Sequence, residues 1–177
     1  VDVEVLSEET LTDLDFALFS AGSSISKKFC PIAAERGIVC IDNTSHFRMA
    51  DGVPLIVPEV NKEDLKGHKN IIANPNCSTA QMMVVLKPIL DKVGLERVVV
   101  STYQSVSGAG SAAIKELEDQ ARANLSGTNL APKEFQYPIA FNVIPQIDVF
   151  MDNGYTKEEM KMINETKKIL GDDTIKV

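Results

Sequence analysis

Cys77 stands in "NPNCST", between Asn76 and Ser78, immediately before the apolar run "AQMMVVLKPIL". A packing cysteine belongs inside such a run, and this one sits one residue ahead of it, where the chain turns. A thiol in the first turn of a helix meets backbone N–H groups without intrahelical partners and the positive end of the helix dipole. Both favour the thiolate. A thiolate attacks carbonyl and acyl carbons, so the position suits covalent acyl chemistry. The competing reading is a small buried cysteine at the edge of a core, since free cysteine is among the most often buried residue types. Cys30 and Cys40 lie within a helix-like and a strand-like apolar segment and read as core thiols without chemistry. Three cysteines at wide spacing form neither a CxxC metal pattern nor a disulfide framework. The default is a reducing, cytoplasmic setting, and no metal site is expected.

The surrounding pattern supplies elements able to position such a thiol. "DFALFSAG" (15–22) is a short apolar run stopped by small residues, the pattern of a buried parallel strand entering a loop. "SISKKFCPIAAERG" reads as a helix ended by Gly37, with Pro31 expected in its early turns. "IVCIDN" is a second buried strand, and "LIVPEVN" and "NIIANPN" are further short apolar runs. Strand, helix, strand at this spacing argues for βαβ units and a parallel sheet, whose ligands lie beyond the carboxyl ends of the strands. Those ends read Ser20-Ala21-Gly22, Asp42-Asn43-Thr44 and Asn74-Pro75-Asn76, all small or polar as an open crevice requires.

After Cys77 a helix is expected over about 78–92, with Met83, Leu86, Leu90 and Val93 on one stripe and Pro88 as a bend. "RVVVSTYQSVSG" (97–108) reads as a long strand, "SAAIKELEDQARANL" as an amphipathic helix and "SGTNLAPKEFQYP" as a loop. "IAFNVIPQIDVF" reads as an edge or bulged strand because of Pro145. "TKEEMKMINETKKIL" opens with a capping-box pattern, Thr156 with Glu159 three residues on, and reads as a helix. The fold class is therefore α/β: the C-terminal part of a Rossmann-like parallel sheet over 1–76, followed by part of an α+β catalytic and dimerisation domain over 77–177.

Composition narrows the function. The net charge of −7 argues against a nucleic-acid partner, which would want a basic stripe. No apolar run approaches the ~20 residues that span a bilayer, so no membrane role is expected. The opening "VDVEVL" alternates like a strand and the closing "DDTIKV" like a strand beginning, so both ends read as cuts through folded structure and the chain as an internal piece of something longer.

The blocks "FSAGSS", "DNTSHFR", "VPEVN", "NPNCSTAQM", "STYQSVSGAG", "YPIAFNVIPQID" and "YTKEEMKM" resemble, in order and over nearly the whole chain, the signature blocks of the aspartate-semialdehyde dehydrogenase family. The resemblance implies NADP-dependent interconversion of L-aspartyl 4-phosphate with L-aspartate 4-semialdehyde and phosphate, in lysine, threonine and methionine biosynthesis. It implies a homodimer. It makes Cys77 the nucleophile that carries a thioester and Gln104 the residue that orients substrate near the thiol. Arg48 and Asn76 become ligands of the acyl phosphate and later of phosphate, Lys161 a second phosphate ligand, and Glu158 the partner of the substrate's amino group. Ala21 and Gly22, with Ser107 and Gly108, would approach the cofactor. The family's glycine loop would precede Val1, and its base histidine and a substrate arginine would follow Val177. The chain alone is accordingly expected to be inactive, and the residues that choose NADP over NAD to lie outside it.

Each assignment has a plainer counterpart. Without the resemblance, the residues by themselves favour Arg48 as a surface cation near Asp51 and Glu158 with Lys161 as a solvated i,i+3 pair worth ~0.2–0.5 kcal/mol, and Ser107-Gly108 also reads as a flexible turn. His46 and His68 read as surface or structural. Among enzymes the nearest alternative is N-acetyl-glutamyl-phosphate reductase, whose cysteine is flanked by glycine and tyrosine. Glyceraldehyde-3-phosphate dehydrogenase sets its cysteine in a Ser/Ala/Thr-rich block. A non-catalytic dimerisation module is the alternative from another class.

Overall fold

The computed structural model describes residues 3–177. Three strands, β1 (Phe16–Phe19), β2 (Val39–Asp42) and β3 (Ile71–Ala73), form a parallel sheet in the order β1-β2-β3. Phe16 aligns with Val39, and Cys40 with Ile71. Parallel neighbours need a crossover, and α1 (Ser23–Glu35) supplies the first. The pleat puts Ala17 and Phe19 of β1 into a core with Phe29, Cys30 and Ala33 of α1 and with Cys40 of β2, while Phe16 and Leu18 on the opposite face are exposed. A short helix, α2 (Pro58–Asn61), and a 3-10 turn (Lys62–Gly67) link the second and third strands.

A second apolar cluster joins Leu55, Val57 and Ala73 to Met83 of α3 (Cys77–Val93) and Ile169 of α5 (Lys157–Leu170). Of the expected stripe on α3, Met83 is buried and Val93 is exposed. Both α1 and α3 carry a proline inside. Pro31 lies past the midpoint of α1 and not in its early turns. A helical proline leaves the carbonyl four residues back without its N–H. Here those residues, Lys27 and Val84, are both exposed, so water can serve them.

The chain divides into two compact units, Val1–Val99 with Glu159–Val177, and Val100–Glu158. The first holds the sheet, α1 to α3, most of α5 and a short bridge between Arg97 and Lys176. The second contains a 3-10 turn (Val106–Ala109), α4 (Ser111–Leu125) and a long irregular stretch that closes on the bridge Phe150–Thr156.

Three expectations fail. Residues 3–6, 97–108 and 139–150 were patterned as strands and form none beyond those isolated bridges; Val1 and Asp2 lie outside the described residues. A strand is stable only against a partner along its length, and among the described residues these segments find pairing only at Arg97 with Lys176 and at Phe150 with Thr156.

Candidate active site

β3 ends at Ala73, and Asn74-Pro75-Asn76 carries the chain into α3, whose first residue is Cys77. Asn76 is the N-cap: its Oδ1 accepts from the backbone N–H of Ser78 (2.9 Å) and of Thr79 (3.4 Å). Cys77 is exposed, whereas Cys30 and Cys40 are fully buried. The core reading of Cys77 is thereby excluded and that of the other two holds. The Cys30 thiol is pushed well above its ordinary range by its contact with Cys40, by burial and by the nearby Asp42, which keeps it protonated.

The carboxyl ends of the strands are tied together by side chains. Asn74 Nδ2 donates to Asn43 Oδ1 (2.7 Å), and Asn43 Nδ2 donates to Ser20 Oγ (3.2 Å). Below them the buried Asp42 accepts from Ser26 Oγ, Thr44 N and Thr44 Oγ1. Ala21, Gly22, Asn43, Asn74 and Cys77 are all exposed along this rim. Gly22 caps α1 at φ +103°, a conformation that favours glycine, and no side chain caps the helix there. Gly110 does the same for α4 at φ +97°.

Arg48 is no surface cation. It is 8% exposed and forms an ion pair with Glu165, 1% exposed. Its Nε donates to the Asn74 carbonyl (2.9 Å), Nη2 to the Asn43 carbonyl (3.1 Å) and Nη1 to Glu165 Oε1 (3.0 Å). Glu165 Oε2 accepts from the backbone N–H of Asn76 at 2.7 Å. One buried carboxylate therefore holds both the arginine and the cap residue ahead of the thiol. Lys168 reinforces the loop from outside, donating to the carbonyls of Arg48 (2.7 Å) and Ala50 (3.0 Å), and partial burial lowers the pKa of its ammonium.

In the second unit Gln104 Nε2 reaches Thr102 Oγ1 (3.4 Å) and Glu158 Oε1 (3.5 Å). Glu158 is buried, so it is not one half of a solvated pair, and Lys161 lies one turn further along the same helix. Ser107 and Gly108 occupy the exposed 3-10 turn that leads into α4, where the Ser107 N–H and Oγ contact Ser105 Oγ. The structure thus groups Cys77, Asn76 and Arg48 in the first unit and Gln104 with Glu158 in the second. The two glycine-bearing turns fall in different units. His68 Nδ1 accepts from the Asn70 N–H within its own turn, a structural role, and His46 is exposed with its ring edge-on to Phe47.

Glu165, which contacts both Arg48 and Asn76, is the residue of this cluster that motif reading missed. A signal was present: positions 158, 161 and 165 recur at helical spacing, so the acid shares a face of α5 with Glu158 and Lys161.

The chain belongs to the semialdehyde dehydrogenase family: residues 1–68 match its NAD binding domain and residues 86–177 its dimerisation domain. Within that family it is 58% identical to aspartate-semialdehyde dehydrogenase 2 of Vibrio cholerae over the whole of this chain and 53% of that protein. The crystal structure of a Vibrio cholerae aspartate semialdehyde dehydrogenase II, described as complexed with ASA, superposes with a TM-score of 0.91 at 58% identity, over 94% of this chain and 50% of that one. The Candida albicans enzyme, solved with NADP, matches at 26% identity with a TM-score of 0.60, over 88% of this chain and 39% of that one. The resemblance read from the seven blocks is borne out, as are the α/β class and the parallel sheet. The chain spans about half the length of the curated relatives it matches.

Proposed function

We propose that a full-length chain carrying these residues interconverts L-aspartyl 4-phosphate with L-aspartate 4-semialdehyde and phosphate through a thioester on Cys77. The observation that carries this reading is an exposed thiol at the first position of α3, next to a cap residue and an arginine held by one buried carboxylate. In the phosphate-releasing direction the Cys77 sulfur attacks the acyl carbon, and the C–O bond to phosphate breaks with its electron pair leaving on phosphate. Arg48 neutralises that leaving group, and the neutral Asn76 amide helps to orient it. Three of the five N–H donors of Arg48 are engaged by protein, which leaves two for an anion. Lys161 adds a second cation. Gln104 orients the acyl group, and Glu158 meets the substrate's ammonium.

A bound nicotinamide nucleotide supplies or accepts the hydride. The strand-end rim of the first unit fits one: Gly22 opens α1 without a side-chain cap, presenting backbone N–H groups of the kind that bind phosphates, and within the second unit Gly110 opens α4 in the same way. Ala21 and Gly22, with Ser107 and Gly108, would line that approach, and NADP is the proposed form, as in the Candida albicans relative. Residues 1–76 would contribute to the nucleotide domain and 77–177 to the catalytic and dimerisation domain, in a cytoplasmic homodimer. Among the described residues no helix is long and apolar enough to cross a membrane.

The test is Cys77→Ser in the full-length protein, assayed with aspartate semialdehyde, phosphate and NADP. Turnover should fall by at least ~10³-fold, because a hydroxyl needs a far stronger base to attack. Activity within about tenfold of the parent removes Cys77 from the mechanism.

A further inference from the structure

Among the buried ionic groups, Glu165 stands out because both of its oxygens are committed to residues that the proposed chemistry uses. Oε1 holds Arg48 Nη1 at 3.0 Å and Oε2 holds the Asn76 backbone N–H at 2.7 Å. These contacts lock different things. The first fixes the rotation of a guanidinium whose other two nitrogens are pinned to the Asn43 and Asn74 carbonyls. The second fixes the Pro75–Asn76 peptide plane, one residue ahead of Cys77, from which the Asn76 side chain reaches the first turn of α3.

We infer that Glu165 is a positioning residue that presents Arg48 and Asn76 together to the departing or attacking phosphate. It does so without touching the phosphate itself. The inference rests on the reading of Arg48 and Asn76 as the anion-binding pair.

The chemistry of the pair makes a purely structural role distinguishable. A guanidinium held at all three nitrogens can offer its remaining N–H donors in one direction only, as recognition of a phosphate requires. If the carboxylate becomes an amide, one acceptor oxygen survives and the other end turns into an NH2 group. The amide can still accept from Asn76 or from Arg48, but not from both, and it no longer balances the arginine's charge. Phosphate recognition should then suffer while recognition of the aldehyde, assigned to Gln104 and Glu158, should not.

The experiment uses the full-length protein with Glu165→Gln and Glu165→Asp. The KM for inorganic phosphate should rise at least tenfold in Glu165→Gln, with the KM for aspartate semialdehyde within twofold of the parent. Glu165→Asp, which keeps the charge but shortens the reach, should recover part of that loss. Independently of turnover, inorganic phosphate should raise the melting temperature of the parent and of Cys77→Ser, and should raise that of Glu165→Gln much less. If both KM values rise together, or if the variants melt earlier while their response to phosphate is unchanged, Glu165 is only a structural ion-pair partner. If Glu165→Gln does not fold, Glu165→Asp carries the same comparison: an unaltered phosphate response there overturns the inference. Should Cys77→Ser remain active, the covalent mechanism falls, while the phosphate-induced melting shift still decides the role of Glu165.

Discussion

Each of the two units of this chain is organised internally by different means. Among the described residues both apolar clusters lie in the first unit, around the sheet and against α3 and α5. The second unit is organised by side-chain acceptors on α4. Glu116 Oε2 takes the backbone N–H groups of Lys133 and Glu134, and Gln120 Oε1 takes those of Ile139 and Ala140. Gln120 Nε2 in turn donates to Glu116 Oε1, so two buried polar residues one turn apart staple a long irregular segment. Several large apolar side chains of that segment stay outside, Phe141 at 76% and Phe150 at 62% exposure among them. A unit that leaves its apolar side chains uncovered has more to gain from a partner surface, in keeping with the match of this region to a dimerisation domain. Cys77, the proposed nucleophile, stands by contrast on the unit that holds both apolar clusters.

Substitutions can break that contrast in order of expected size. Arg48→Met strands the Glu165 carboxylate in the first unit's interior and leaves the Asn43 and Asn74 carbonyls without their donor. It should cost about 3–5 kcal/mol, read from the urea midpoint. A cost below about 1 kcal/mol would mean that water replaces the arginine.

Gln120→Ala leaves the Ile139 and Ala140 N–H groups unpaired, at about 1–3 kcal/mol. The sharper reading is local: hydrogen exchange at those two amides should quicken while the amides of α3 keep their protection. A loss spread over both units would show that they unfold as one.

Asn76→Ala removes the α3 cap and should cost about 1 kcal/mol, with faster exchange at Ser78 and Thr79. Cys77→Ser, at an exposed position, should stay within about 0.5 kcal/mol of the parent whatever it does to turnover.

The smallest effect expected is pH-dependent. Thr174 Oγ1 and N both donate to Asp172 Oδ1, and these bonds hold its carboxyl below the usual aspartate value. The unfolded chain therefore takes up this proton first as pH falls. The contribution is fully present above the ordinary aspartate range and is lost as pH drops through the depressed value. Thr174→Ala should leave stability near neutral pH slightly lower and make the loss in acid shallower; an unchanged acid limb would show that the Thr174 hydroxyl contributes nothing.

The sequence by itself determined the local elements. The strands β1 and β2 and the helices α1, α3, α4 and α5 follow from periodicity and from stop residues such as Gly37, because a helix closes its hydrogen bonds within itself and a buried strand shows as a short apolar run. The position of Cys77 at the head of α3 was legible for the same reason. The strand-like runs at 97–108 and 139–150 were not: a strand's hydrogen bonds are completed by another segment, and composition does not say whether one is there. Only the tertiary structure paired Arg48 with Glu165, 117 residues apart, and turned an apparent surface cation into a buried anchor beside Asn76. No local pattern encodes that contact, because the attraction that makes it becomes strong only after the fold has removed both charges from water.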